Sequence, residues 1–141
     1  MSLNRVFDIA GSAMAAQSAR LNTTASNLAN ADSVSGDPNK VYRARQPIFS
    51  AEPSFATTLQ SESASVGVRL RGIVESQAPL GQRYAPEHPD ADENGNVWTS
   101  NVSTVEEMVN MLSASRSYQS SIEVMSTTKE LLMQTLSMGR S

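Results

Sequence analysis

The densest group of potential ligands in this 141-residue sequence is Asp90-x-Asp92-x-Asn94-Gly95, whose spacing matches the opening of a calcium-binding EF-hand loop. Such a loop is entered from a helix and closes its coordination sphere with a bidentate glutamate at its twelfth position. Here that position is Asn101, and Pro86 and Pro89 break the approach. The segment reads as a solvated turn. His88, the one histidine, stands between Glu87 and Pro89. With no second histidine and no cysteine, zinc would need carboxylates that the local spacing does not supply. No serine sits in a Gly-x-Ser-x-Gly elbow, and His88 is the only conventional base, so nothing supports acyl transfer. The seven glycines form neither a phosphate loop nor a dinucleotide fingerprint. The residues give no support to an enzyme, and no cofactor or metal is expected.

The absence of cysteine also removes disulfides. A net charge of -3, a pI near 5.1 and the lack of a Lys/Arg block argue against nucleic acid and against anionic membrane surfaces as partners. The opening Met1-Ser2-Leu3-Asn4-Arg5 lacks the basic and apolar regions of a cleaved signal, and no apolar run reaches membrane-spanning length. Neither a cleaved signal nor direct membrane insertion is expected. Only 39% of residues are hydrophobic and 5% aromatic, too few for a large self-sufficient core. The chain is expected to share its core with others.

The positive pattern is apolar and lies at the two ends. Phe7, Met14, Leu21 and Leu28 recur at every seventh position, with Leu3, Ala10, Gln17 and Thr24 as a companion row. Met111, Tyr118, Met125 and Leu132 repeat in the same way, with Met108, Ser115, Ile122, Lys129 and Leu136 interleaved at spacings of three and four. A row kept at a period of 3.5 belongs to a helix lying against another helix. The methionines and Tyr118 suit either ordinary packing or an adaptable partner groove. Lys129 breaks the stripe, either at a junction between subunits or by snorkelling to water at its edge.

These rows must sit on long elements. Residues 3 to about 30 read as one helix, a rod of roughly 40 Å. It stops at the polar loop Ala31–Asn39, which holds Gly36 and Pro38. Val41–Phe49 and Val66–Val74 read as strands, with a mobile loop at Ala56–Ser65 between them. Asn94-Gly95 before Val97 and Trp98 suits a tight hairpin turn. Ser103-x-x-Glu106 and Thr104-x-x-Glu107 each offer a capping box for a second helix that runs to Met138, roughly 50 Å, with Gly139 as its stop. The expected fold is mainly α: long N- and C-terminal helices packed as a coiled coil, with a small β-rich central insert. Its divisions are an N-terminal axial helix at 1–31, the insert with its loops at 32–100, and a C-terminal axial helix at 101–141 packing with 1–31.

The segment Leu21-Asn22-Thr23-Thr24-Ala25-Ser26-Asn27-Leu28-Ala29-Asn30 resembles the Ala-x-Asn-x-Ala-Asn signature in the N-terminal helix of bacterial flagellar axial proteins, the rod and hook subunits. Tyr42-Arg43, Pro47-Ile48-Phe49, His88-Pro89-x-Ala91, Asp92-Glu93-Asn94-Gly95 and Asn101-Val102 are similar, in the same order, to members that build the proximal rod. So is Val105-Glu106-Glu107-Met108-Val109-Asn110-Met111 leading to Ala114-Ser115-Arg116-Ser117-Tyr118-Gln119. The family usually shows Ala-Asn where this chain has Ser120-Ser121, an aromatic at Asn96 and a proline at Ser100.

The resemblance implies a structural subunit and no enzyme. It would be exported by the flagellar type III apparatus without a cleaved signal. Its terminal helices would assemble into the hollow drive shaft that carries torque across the periplasm, from motor ring to hook, within the basal body. The implied partners are copies of itself, other flagellar rod proteins, motor-ring and rod-junction proteins, and the export apparatus. Expected subunit-interface residues are Phe7, Met14, Leu21, Asn27, Leu28, Asn30, Met108, Met111, Leu112, Tyr118, Ile122, Met125, Leu132 and Leu136. The competing expectation is a helical secretion adaptor or chaperone that grips a partner helix through the methionine-rich stripe.

Overall fold

A computed structural model describes residues 3–52 and 66–139. Helix α1 (Leu3–Ala29) is followed by strands β1 (Val34–Ser35), β2 (Arg45–Glu52), β3 (Gly67–Glu75), β4 (Gly81–Tyr84) and β5 (Asn96–Thr99), and then by helix α2 (Thr104–Met138). Two long terminal helices thus enclose a small β insert, as expected. The loop expected at Ala56–Ser65 lies outside the described residues.

Both helices end where local chemistry stops them. At the close of α1 the Asn30 amide donates to the carbonyls of Ser26 and Asn27 at 3.2 and 3.1 Å, and its side-chain Nδ2 donates to the Ser26 carbonyl at 2.8 Å. That tightens the last turn and satisfies carbonyls the helix would leave orphaned. At the start of α2 only one of the two overlapping capping boxes supplies the cap. Ser103 Oγ accepts from the Glu106 amide at 3.4 Å, while Thr104 is already helical. Glu106 and Glu107 in the first turn oppose the positive end of the helix dipole. The Gly139 amide returns to the Thr135 carbonyl at 3.2 Å to close the far end.

Strands β1, β5 and β4 form an antiparallel sheet in that order, with Ser35 and Gln82 both opposite Trp98. β2 and β3 form a separate two-stranded sheet. Three expectations for the insert need correction. The loop at 31–39 contains the short strand β1, because Val34 and Ser35 find β5 as a partner from far along the chain. The strand expected from Val41 starts at Arg45, since Val41 and Ala44 are buried in the lead-in.

The third concerns Asn94-Gly95, which does not make a two-residue hairpin. β4 and β5 are antiparallel neighbours, but residues 85–95 separate them. Pro86 and Pro89 cannot donate to a ladder, so the chain leaves the sheet and returns. The Ala85 amide donating to the Gly95 carbonyl at 2.8 Å draws the loop's two ends together. Gly95 has a φ of 75°, and a Cβ there would lie 3.0 Å from the Tyr84 ring and 3.1 Å from Pro86.

The contacts divide the chain into two compact units. One is drawn from residues 20–47 and 73–112. It is centred on the fully buried Val97, with Val41, Ala44, Thr23, Thr24, Asn27 and Glu107 also buried. The other is drawn, among the described residues, from 3–19, 48–52, 66–72 and 113–139, and buries Ala10, Ala16, Ala114 and Thr128. Every buried side chain named for this second unit is small.

Candidate assembly surface

On α2 the apolar rows do not fall where the molecule closes on itself. Glu107, Ala114 and Thr128 are buried and Ser121 is half-buried, a row with a spacing of seven. Met111, Tyr118, Met125 and Leu132 are half-buried and interleave with it at spacings of four and three. The expected companion row stands one residue away and faces outward. Met108 is 60% exposed, Ile122 45% and Leu136 64%, and Leu112 at 54% joins them. Ser115 is half-buried and Lys129 exposed. The fully covered residues of α2 are therefore Glu107, Ala114 and Thr128, none of them large and apolar, while Met108, Leu112, Ile122 and Leu136 remain exposed.

The N-terminal stretch of α2 makes this plainest. Val105, Met108, Val109 and Leu112 are all more than half exposed and follow the i, i+3, i+4, i+7 spacing of one helix face. At about 100° per residue the centre of that face lies roughly 130° around the helix from the one carrying Glu107 and Met111. In the distal half Val124, Leu131 and Met138 stand exposed along one flank of the seam, and Ile122, Met133 and Leu136 along the other. On α1, Phe7, Met14, Leu21 and Leu28 are half-buried, whereas Ala10 and Thr24 of the companion row are buried.

Asn27 and Asn30, named above with the interface residues, spend their side chains inside this chain. Asn27 is 1% exposed. Its Nδ2 donates to the Arg45 carbonyl at 2.8 Å, and its Oδ1 accepts from the Arg45 amide and from the Tyr42 hydroxyl, each at 2.9 Å. The side-chain amide thus pairs with one backbone residue as a neighbouring strand would. Tyr42 also reaches Ser26 Oγ at 3.2 Å, and its ring lies 5.3 Å beneath the Arg45 guanidinium. A second asparagine does similar work: Asn101 Oδ1 accepts from the Ala44 amide at 2.8 Å and Nδ2 donates to the Ala78 carbonyl at 2.9 Å. The start of β2 is thereby held from the last turns of α1 and from the lead-in to α2. Sequence reasoning did not assign these roles to Tyr42, Arg45 or Asn101. The available signal was Asn27 itself, a poor helix former inside an otherwise regular helix.

The calcium-like motif is committed to its own turn. Asp92 Oδ1 accepts from the amides of Asn94 and Asn96 at 2.9 and 2.8 Å, and the Asp90 amide donates to His88 Nδ1 at 3.1 Å. Among the described residues there is no group of three or more His, Cys, Asp or Glu placed to hold a metal ion. Nor is any described helix long and apolar enough to cross a membrane. The ion pair between Arg45 and Glu75, 3.4 Å apart, is exposed on both sides and contributes little.

Residues 7–36 match the family described as flagella basal body rod protein, and residues 93–138 match the flagellar basal body rod FlgEFG protein C-terminal family. The first covers most of α1 and the turn after it, the second the end of the insert and α2. Over 99% of this chain and the whole of the relative, the sequence is 50% identical to the flagellar basal-body rod protein FlgC of Salmonella typhimurium. It is 49% identical to that of Escherichia coli O6:H1 and 36% identical to that of Buchnera aphidicola subsp. Baizongia pistaciae, again over 99% of this chain and the whole of each relative. The chain belongs to the FlgC family of flagellar basal-body rod proteins.

Proposed function

We propose that this chain is a structural subunit of the proximal rod, whose terminal helices pack as a coiled coil among those of neighbouring subunits to build a hollow shaft. The observation that carries this reading is the mismatch on α2. Its fully covered residues, Glu107, Ala114 and Thr128, include no large apolar side chain, while large apolar residues stand exposed on the face carrying Val105, Met108, Val109 and Leu112 and along both flanks. A helix with apolar side chains around so much of its circumference needs more than one helical neighbour. Burying those rows among subunits at about 25 cal/mol per Å² gives stiffness from many small contacts, as transmission of torque from motor ring to hook requires. The role is mechanical and makes or breaks no bond.

The proposed partners are further copies of this chain, other rod proteins, and the motor-ring and rod-junction proteins at its ends. Delivery is through the flagellar type III export apparatus, without a cleaved signal, to a periplasmic rod. Electron microscopy of basal bodies from cells lacking this chain tests the reading. Membrane rings without a completed rod, hook or filament are expected, with the full structure restored by the unaltered chain. Normal filaments in those cells would remove the chain from the flagellar axis.

A further inference from the structure

The calcium-like motif ends in Asn94-Gly95, the one Asn-Gly pair in the sequence, and Asn94 is exposed. In a flexible chain such a pair is reactive, because glycine has no Cβ to shield its amide nitrogen from the preceding carboxamide. The Gly95 nitrogen attacks Asn94 Cγ and the new N–Cγ bond closes a succinimide ring. The Cγ–Nδ2 bond breaks, and ammonia leaves, its third hydrogen balancing the proton lost from the Gly95 amide. Water then opens the ring at either carbonyl and leaves aspartate or isoaspartate at position 94. We infer that Asn94 is a latent deamidation site, closed by the folded loop and open in the unfolded chain.

Closure comes from the hydrogen bonds around the pair. The Gly95 amide donates to the Asp92 carbonyl at 2.9 Å, so the proton that the attack must remove is held by an acceptor. Asp92 Oδ1 accepts from the amides of Asn94 and Asn96 at 2.9 and 2.8 Å, which fixes the backbone on both sides of the pair. The Ala85 amide holds the Gly95 carbonyl at 2.8 Å. Attack requires the peptide between Asn94 and Gly95 to rotate toward the Asn94 side chain, which breaks the bond to the Asp92 carbonyl and pulls on its neighbours. Each hydrogen bond lowers the population of the open loop by a factor of roughly two to ten, so those bearing on the pair slow the reaction by about tenfold or more.

The isoaspartate product does not fit the loop again. It carries the chain through its side-chain carbon and so adds a backbone atom between Asp92 and Asn96, which are bonded to each other in both directions. This loop joins β4 to β5, and β5 carries the fully buried Val97. A chain modified while unfolded is therefore marked, and refolds with a lower unfolding midpoint than one that folded first.

The purified full chain, folded or in urea, is held in mildly alkaline buffer while isoaspartate at position 94 is followed by peptide mass spectrometry and enzymatic methylation. The folded chain should be modified about tenfold or more slowly than the unfolded one, and Asn94→Gln should abolish the signal in both states. Asp92→Ala, if folded by Trp98 fluorescence, should react several-fold faster than the parent. Asp92→Asn, which keeps a side-chain oxygen as acceptor, should stay near the parent. If Asp92→Ala does not fold, the unaltered chain in sub-denaturing urea decides, because hydrogen exchange at the Gly95 amide and deamidation at Asn94 should rise together. Equal rates in the folded and unfolded chain would overturn the inference. So would a folded Asp92→Ala variant no faster than the parent, Asp92→Asn as fast as Asp92→Ala, or deamidation that does not follow exchange at Gly95.

Discussion

Removing the Asn27 side chain tests whether one asparagine fixes the insert to α1. Asn27→Ala deletes three hydrogen bonds of 2.8–2.9 Å: one to the Arg45 carbonyl, one from the Arg45 amide and one from the Tyr42 hydroxyl. At a net value of about 1 kcal/mol each, the loss approaches 3 kcal/mol. Arg45 is exposed, so water can take over part of its backbone bonding, which lowers the expected cost to about 2 kcal/mol. Urea unfolding followed by the fluorescence of Trp98, the only tryptophan, reads this directly, because Trp98 belongs to the same unit as Asn27. Tyr42→Phe removes the Tyr42 hydroxyl's bonds to Asn27 and Ser26 and should cost about 1 kcal/mol. Asn27→Asp keeps the acceptor but turns a carboxylate toward the Arg45 carbonyl, so it should not rescue the alanine variant. If Asn27→Ala unfolds within about 0.5 kcal/mol of the parent, the side chain does not hold β2, and the argument from its buried amide is wrong.

The remaining predictions concern the seam and the loop. Ala114 is fully buried, so Ala114→Leu should cost about 1–3 kcal/mol by overpacking, whereas Met108→Ala, at a 60% exposed position, should change the stability of the isolated chain by less than about 0.5 kcal/mol. Paired urea titrations would show the reverse order if the covered face of α2 were the one carrying Met108. Gly95→Ala forces a Cβ onto a φ of 75° against Tyr84 and Pro86 and should destabilise the chain by about 1–2 kcal/mol, read as a lower unfolding midpoint.

The sequence alone determined the long elements and their ends. Helix periodicity is local, and so are the signals that bound it: Ser103 before α2, Gly139 after it and the polar loop Ala31–Asn39 after α1. It also determined the family, because the matched motifs run in order along nearly the whole chain. What it could not determine was which side of α2 is covered. A stripe at seven-residue spacing shows that a helix has a covered face, but several faces of α2 carry such a stripe, and the choice depends on what packs there. The folded chain covers Glu107, Ala114 and Thr128, half-covers Ser121, and leaves Met108, Leu112, Ile122 and Leu136 outside. The same limit applies wherever partners are distant in sequence. Val34 becomes a strand only because Thr99 lies opposite it, and Asn27 becomes a clamp only because Arg45 is brought to its side chain. Local pattern decides which elements form; long-range contact decides which of their faces is spent within the chain and which is left for another.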